Sequence, residues 1–192
     1  GENIVVFGAG GVGLNIIQGA KLAGANQIIA VDQWENRLEL AKKFGATSTI
    51  NVRTITDLKD SILSEIAGSP IDIAVDNTGN PTLIEKAYEL ISQNGRVILV
   101  GVPEKGANST FYTLPMHFGK RLIGSEGGET NPQEDIPKYI NLIKSKKLDY
   151  LDLISSVHKL EDINNMIAKI RNGTESGRVL IKFGDTGNPP RN

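Results

Sequence analysis

The sequence predicts an α/β fold built on a doubly wound parallel sheet of about six strands, with a short C-terminal appendage. Three observations predict it. Short apolar, β-branched runs alternate with helix-period segments along most of the chain. The first run, Ile4-Val5-Val6-Phe7, leads directly into Gly8-Ala9-Gly10-Gly11-Val12-Gly13, a G-x-G-x-x-G loop, and then into an apolar helix-like segment. The second run closes on Asp32, 19 residues beyond Gly13, the distance that one β-α-β unit spans.

Taken in order, the runs place strands over 4–7, 27–32, 48–51, 71–76, 96–100 and 121–125. Runs such as Ile71-Asp72-Ile73-Ala74-Val75 and Val97-Ile98-Leu99-Val100 suit inner strands covered on both faces. Between them, Leu38, Ala41 and Phe44 mark one amphipathic helix, and Leu58, Ile62, Leu63 and Ile66 another. A further helix carries Leu83, Ile84, Ala87, Leu90 and Ile91, with Asn80 as N-cap, Pro81 in the first position and Asn94-Gly95 as the stop. After the sixth strand the rhythm changes. Thr130-Asn131-Pro132 opens a helix whose Ile136, Tyr139, Ile140 and Ile143 are expected to face inward, and the basic run Lys144-Ser145-Lys146-Lys147 reads as its solvated end. A last helix with Ile163, Met166, Ile167 and Ile170 ends at Asn172-Gly173, and a final strand begins at Arg178.

The glycine loop carries chemistry. Gly8 permits a tight turn out of the strand, Gly10 lets backbone N–H groups approach a ligand with no β-carbon in the way, and Gly13 lets the helix pack closely. A helix N-terminus at Gly11 and Val12 offers unpaired N–H groups and a dipole that favour a pyrophosphate. Asp32, at the carboxyl end of the second strand, is placed to accept hydrogen bonds from an adenosine ribose. The same carboxylate opposes a 2′-phosphate: two unit charges about 4 Å apart repel by roughly 4 kcal/mol at an effective dielectric near 20. NAD is therefore expected over NADP.

Composition excludes several alternatives. With 39% hydrophobic and 22% charged residues and a formal net charge of −1, nothing points to a nucleic-acid or membrane partner. Apolar runs of this length do not span a bilayer, and the N-terminus lacks the pattern of a secretory signal, so a cytoplasmic location is expected. Gly1 in place of an initiator Met reads as the start of an excised piece or the remnant of a processed tag. There is no cysteine, which removes disulfides, thiolate zinc ligation and a cysteine nucleophile, and only His117 and His158 remain as imidazoles. No metal site and no catalytic residue is expected within the chain itself.

At this point a family resemblance becomes specific. Gly8-Ala9-Gly10-Gly11-Val12-Gly13-Leu14, Ile29-Ala30-Val31-Asp32 with Arg37 beyond it, and Ala41-Lys42-Lys43-Phe44-Gly45-Ala46-Thr47 match it first. Gly95-Arg96-Val97-Ile98-Leu99-Val100-Gly101-Val102-Pro103, Pro132-Gln133-Glu134-Asp135-Ile136-Pro137 and Gly177-Arg178-Val179-Leu180-Ile181 follow in the same order. The chain resembles the coenzyme-binding half of a medium-chain dehydrogenase of the zinc-type alcohol dehydrogenase family. The resemblance implies a Rossmann domain over 1–150 and a segment over 151–184 that returns to the family's catalytic domain; beyond Gly184 the composition itself reads as a flexible tail over 185–192, native or a vector remnant.

The resemblance also implies roles. Arg37 corresponds to the basic residue beside the ribose and Arg178 to the arginine that clamps the pyrophosphate, where a fork of fixed donors suits a phosphate. Thr78, Val102 and Ser125 correspond to positions lining the nicotinamide pocket. His158 is expected as a strand-start histidine with a satisfied hydrogen bond, and His117 on a helix near a dimer edge; neither is expected to be catalytic. In the family, the zinc, its ligands and the substrate pocket lie in an N-terminal domain that precedes residue 1. The chain is thus expected to bind NAD(H), and not by itself to oxidise a primary or aryl alcohol to its aldehyde. The edge strand at 121–125 is expected to pair with its copy in a homodimer. Two alternatives stay open: a zinc-free, NADPH-dependent quinone or enoyl reductase, and a dinucleotide-sensing domain without chemistry. No Tyr is followed by Lys four positions later, which argues against a short-chain dehydrogenase.

Overall fold

Every residue of β1 (Asn3–Phe7) is buried, and its side chains alternate between two separate cores. Val5 and Phe7 point to one, Ile4 and Val6 to the other, as the period-two geometry of a strand requires. The computed structural model describes residues 1–183; the tail expected at 185–192 lies outside the described residues.

Around β1, the chain builds a six-stranded parallel sheet in the order β3-β2-β1-β4-β5-β6. The other strands are β2 (Gln27–Asp32), β3 (Ser48–Asn51), β4 (Ile73–Asp76), β5 (Arg96–Leu99) and β6 (Arg121–Gly124). Helices α1 (Gly11–Leu22) and α2 (Glu35–Phe44) cover one face through Leu14, Ile17, Leu38, Ala41 and Phe44. Helices α3 (Leu58–Glu65) and α4 (Pro81–Leu90) cover the other through Leu58, Ile62, Ala87 and Tyr88. The strand order reverses between β1 and β4, which share the register Val6 to Val75 and Phe7 to Asp76. A cleft at the carboxyl ends of the strands is the consequence of that reversal. The α/β fold with its doubly wound sheet is as the sequence predicts.

Capping agrees with the sequence where side chains decide it. The Asn80 side chain accepts the N–H groups of Thr82 (2.9 Å) and Leu83 (3.4 Å), with Pro81 in the first turn of α4. At α5 (Pro132–Lys144), Asp135 reaches back to the N–H of Asn131 at 2.9 Å.

Four details differ from the sequence reading. The strand expected from residue 71 begins at Ile73, while Ile71 is buried in the approach to it and lends its carbonyl to Ser92. The apolar stripe of α5 does not face inward. Ile136 is 53% exposed, Tyr139 48% and Ile140 44%, and of the expected stripe Ile143 alone, near the end of the helix, is half-buried. A strand that the sequence reading omits, β7 (Ile154–Lys159), pairs in parallel with β8 (Arg178–Lys182) as a separate two-stranded sheet. Its alternation of half-buried and exposed residues was masked by two serines and a lysine among the five residues after Ile154. His158 consequently lies inside β7 rather than at a strand start, and its Nε2 is buried with no hydrogen bond among the described residues. Finally, His117 lies on a helix as expected, but a short one: the five-residue 3₁₀ helix Leu114–Phe118, with Pro115 in its first turn and Gly119 closing it. α6 (Ile163–Arg171) ends, as expected, at Asn172 and Gly173.

Candidate cofactor site

The turn after β1 is shaped by contacts that only glycine permits. Gly8 has φ +92° and donates its N–H to the Val31 carbonyl at 2.8 Å, so the chain leaves the strand while still tied to β2. A β-carbon on Gly13 would overlap the carbonyl oxygen of Gly8, which packs the first turn of α1 against that exit. Around Gly10, by contrast, a β-carbon would meet no protein atom within 4 Å. That open space lies in front of the first N–H groups of α1, whose N-cap Gly10 supplies no side-chain acceptor.

Across the opening stands Arg178, the first residue of β8. Its guanidinium lies so close over Gly11 that a β-carbon there would collide with it. A residue 167 positions further along the chain is thereby brought to the N-terminus of α1 beside the exposed Val12.

Asp32 is buried, with its side chain 5% exposed. Its Oδ2 accepts the N–H of Ala9 at 2.8 Å, inside the glycine turn, and its Oδ1 accepts the N–H groups of Gln33 (2.7 Å) and Trp34 (3.0 Å). Arg37 Nη1 stands 3.8 Å from Oδ2, while its Nη2 donates to the Ile170 carbonyl at 3.4 Å. The carboxylate is therefore a structural hub as well as a feature of the cleft. Three backbone donors orient it and one guanidinium offsets its charge.

At the end of β4, Asp76 plays the same part. It is fully buried; Oδ1 accepts the Thr78 hydroxyl (2.6 Å) and N–H (3.1 Å), and Oδ2 accepts the Gly79 N–H (2.9 Å). Gly79, at φ +69°, lies against the Val102 carbonyl, so the turns after β4 and β5 touch. Val102 itself is 90% exposed, and Ser125 follows β6 with its N–H on the Leu99 carbonyl at 2.9 Å. Thr78, Val102 and Ser125 thus occupy successive strand ends.

A cleft of about 690 Å³ opens at the carboxyl ends of β1, β2 and β4. Gly8, Gly10, Asp32, Arg37 and Thr78 line it; Gly11, Val12, Gly13, Val102, Ser125 and Arg178 lie outside that lining. Sequence reasoning missed its far wall, where Val52, Ile55 and Leu83 give an apolar surface and Lys86 a cation. The spacing of Leu83 and Lys86 on α4, one turn apart, was the available signal.

The cleft, the glycine turn and Arg178 together provide a concave site with N–H donors and a guanidinium at one end and a carboxylate at the other. A family model described as a zinc-binding dehydrogenase matches residues 11–145. The chain belongs to that family. Alcohol dehydrogenase 1 of Oryza sativa subsp. indica is 34% identical over 186 residues, covering 95% of this chain and 48% of the relative. Among solved structures, benzyl alcohol dehydrogenase from Acinetobacter calcoaceticus superposes with a TM-score of 0.87 at 32% identity, covering 95% of this chain and 50% of that one. An alcohol dehydrogenase zinc-binding domain protein from Burkholderia ambifaria gives 0.86 at 31% identity, covering 96% and 49%. The chain spans about half the length of the relatives it matches, and that half is the coenzyme-binding one.

The described residues do not fit a zinc site. The chain has no cysteine, and among the described residues no three His, Asp or Glu side chains gather where they could hold a metal ion. No described helix is long and apolar enough to cross a membrane.

Proposed function

We propose that this chain binds NAD(H) as the coenzyme-binding part of a longer dehydrogenase, in which hydride passes between an alcohol and the nicotinamide. The observation that carries the reading is the open space before α1, bounded by Gly10, by Arg178 over Gly11 and by the buried carboxylate of Asp32. The nicotinamide, when bound, supplies the hydride acceptor or donor. The chain's own residues bind and orient. The first N–H groups of α1 and the Arg178 guanidinium hold the pyrophosphate; Asp32 and Arg37 hold the adenosine ribose; the backbone at Thr78, Val102 and Ser125 holds the nicotinamide end. The apolar wall of Val52, Ile55 and Leu83 excludes water from the adenine.

Asp32 favours NAD over NADP, because its charge is fixed in place by three N–H groups and cannot swing away from a 2′-phosphate at little cost. The alcohol half of the reading rests on the relatives' names, and a primary or aryl alcohol on the benzyl alcohol dehydrogenase neighbour. Zinc, and the substrate pocket, are assigned to residues outside this chain. The outer edge of β6, which pairs only with β5 among the described residues, is the proposed homodimer contact.

Calorimetric titration of the 192-residue chain tests the reading. NADH is expected to bind more tightly than NADPH, Asp32→Ala to lose affinity for NADH, and an alcohol with NAD to give no turnover. Absence of heat with either dinucleotide would refute it.

A further inference from the structure

The residues that follow Asp32 are held by parts of the chain that the cofactor reading leaves idle. Trp34 is the N-cap of α2, and its own N–H is one of the two that fix Oδ1 of Asp32, at 3.0 Å. One face of its indole carries the Arg53 guanidinium, 3.8 Å from the ring centroid. The indole also lies against Gly173, the buried residue with φ +71° just beyond α6; a β-carbon there would overlap its ring carbons. Neighbouring hydrogen bonds repeat the pattern. Arg53 Nη2 donates to Gln33 Oε1 at 3.2 Å, Asn51 Nδ2 to Glu35 Oε2 at 2.9 Å, and Asn36 Nδ2 to the Gly173 carbonyl at 3.0 Å. Residues 33–36 are therefore pinned from the β3 side by Asn51 and Arg53, and from the C-terminal segment by Gly173.

We infer that Trp34 is a positioning residue for the ribose carboxylate, clamped between Arg53 and the Gly173 turn, so that the C-terminal segment sets the cofactor preference of the cleft. The inference rests on the NAD(H) reading above and deepens it. Trp34 lines no part of the cleft, so it acts through its backbone N–H on Asp32. A flat apolar ring fits between a guanidinium plane and a residue without a side chain, and there it fixes the backbone at the start of α2. Gly173 serves here for its missing β-carbon as well as for its φ. Loss of the ring frees the 33–36 segment and with it one of the N–H groups that hold the carboxylate in line. A carboxylate free to rotate discriminates less between a ribose hydroxyl and a 2′-phosphate.

The test uses the full chain, in which Trp34 is the single tryptophan, so that its emission reports the clamp without a label. NADH and NADPH are titrated calorimetrically into the parent and into Trp34→Ala, Trp34→Phe, Arg53→Ala and Gly173→Ala. Trp34→Ala and Gly173→Ala are expected to weaken NADH about tenfold, the loss that follows from one charge-assisted hydrogen bond, and to narrow the NADH-to-NADPH ratio at least about threefold. Trp34→Phe, which keeps a flat ring, restores both. Arg53→Ala, at an exposed position, is expected to shift Trp34 emission to the red before any ligand is added. An unchanged ratio in Trp34→Ala, or an equal loss for both dinucleotides, overturns the inference and leaves the NAD(H) reading standing. A parent that binds neither dinucleotide overturns the reading and with it the cofactor role of Trp34, and the emission of Arg53→Ala still decides whether the clamp itself exists.

Discussion

The first hundred residues and the remainder of the described chain are built from the same kinds of element, yet they bury their apolar surface differently. Of the large hydrophobic residues left exposed, only Val12, Leu22 and Val52 precede residue 101, whereas Phe118, Ile136, Tyr139, Ile140, Val157, Ile167, Leu180 and others follow it. The buried apolar core shows the reverse, with Leu153 and Met166 alone coming from the later region. The first region closes its sheet with two helices on each face. The second leaves most of the apolar stripes on α5, α6 and the β7–β8 sheet exposed, Met166 of α6 being the buried exception. A stripe of this kind is a surface awaiting a cover, and in a chain that spans about half of its relatives' length the proposed cover is the rest of the protein.

The comparison can be broken most directly by truncating one apolar residue in each region. Phe7 is fully buried in β1, and Phe7→Ala is expected to cost about 3–5 kcal/mol in urea unfolding, the transfer energy of the ring plus the cavity it leaves. Ile140, on the bare face of α5, is expected to change stability by less than about 0.5 kcal/mol when cut to Ala. A cost near that of Phe7 would mean that α5 is covered in solution, and the contrast between the regions would fail for the isolated chain.

The same contrast explains what was legible in the sequence. In the first region, local pattern and tertiary burial agree: the runs at Ile4 and Gln27, the Asn80–Pro81 start and the Gly8-to-Gly13 turn all lie where their spacing placed them. The period of α5 was equally legible, since Ile136, Tyr139 and Ile140 do share a face. Periodicity identifies an apolar face and says nothing about its partner, so inward packing did not follow. Site residues divide in the same way. The glycine turn and Asp32 announce themselves by spacing, while Asp76, Lys86 and the far wall of the cleft become visible only when the strands stand side by side. The double duty of Asp32, on the Ala9 N–H as well as in the cleft, required the fold, because the two are 23 positions apart in the chain.

A sharper version of the comparison asks whether the sparsely buried region still serves the site. Arg178 belongs to β8, whose pattern alternates exposed and half-buried residues, yet its guanidinium reaches the N-terminus of α1. Arg178→Ala is expected to weaken NADH by roughly ten- to a hundredfold, the range for a charge-assisted contact of about 1.5–3 kcal/mol, with the thermal midpoint unmoved. Calorimetry paired with a thermal melt checks both halves. A fallen midpoint with unchanged affinity would make Arg178 a structural tie between the regions and remove it from the pyrophosphate.

The smallest effect lies within the first region and concerns acid. Glu2, just before β1, makes a two-pronged contact with Arg96 at the start of β5, at 2.6 and 2.8 Å. Hydrogen bonding to that guanidinium holds the Glu2 carboxyl below its ordinary value of 4.5, and the same bond raises Arg96. A carboxyl whose value is lower in the folded state than in the unfolded chain contributes stability above the ordinary value, and loses it as pH falls through the lowered one. The folded protein is therefore expected to lose this contribution below about pH 4.5, and the pair's exposure limits it to at most about 1 kcal/mol. Glu2→Gln removes the carboxylate without removing the chain's reach to Arg96. The variant and the parent should then differ in unfolding free energy near neutral pH and converge as the solution is acidified. Parallel curves across that window would show that the contact, close as it is, ties β1 to β5 without contributing to stability.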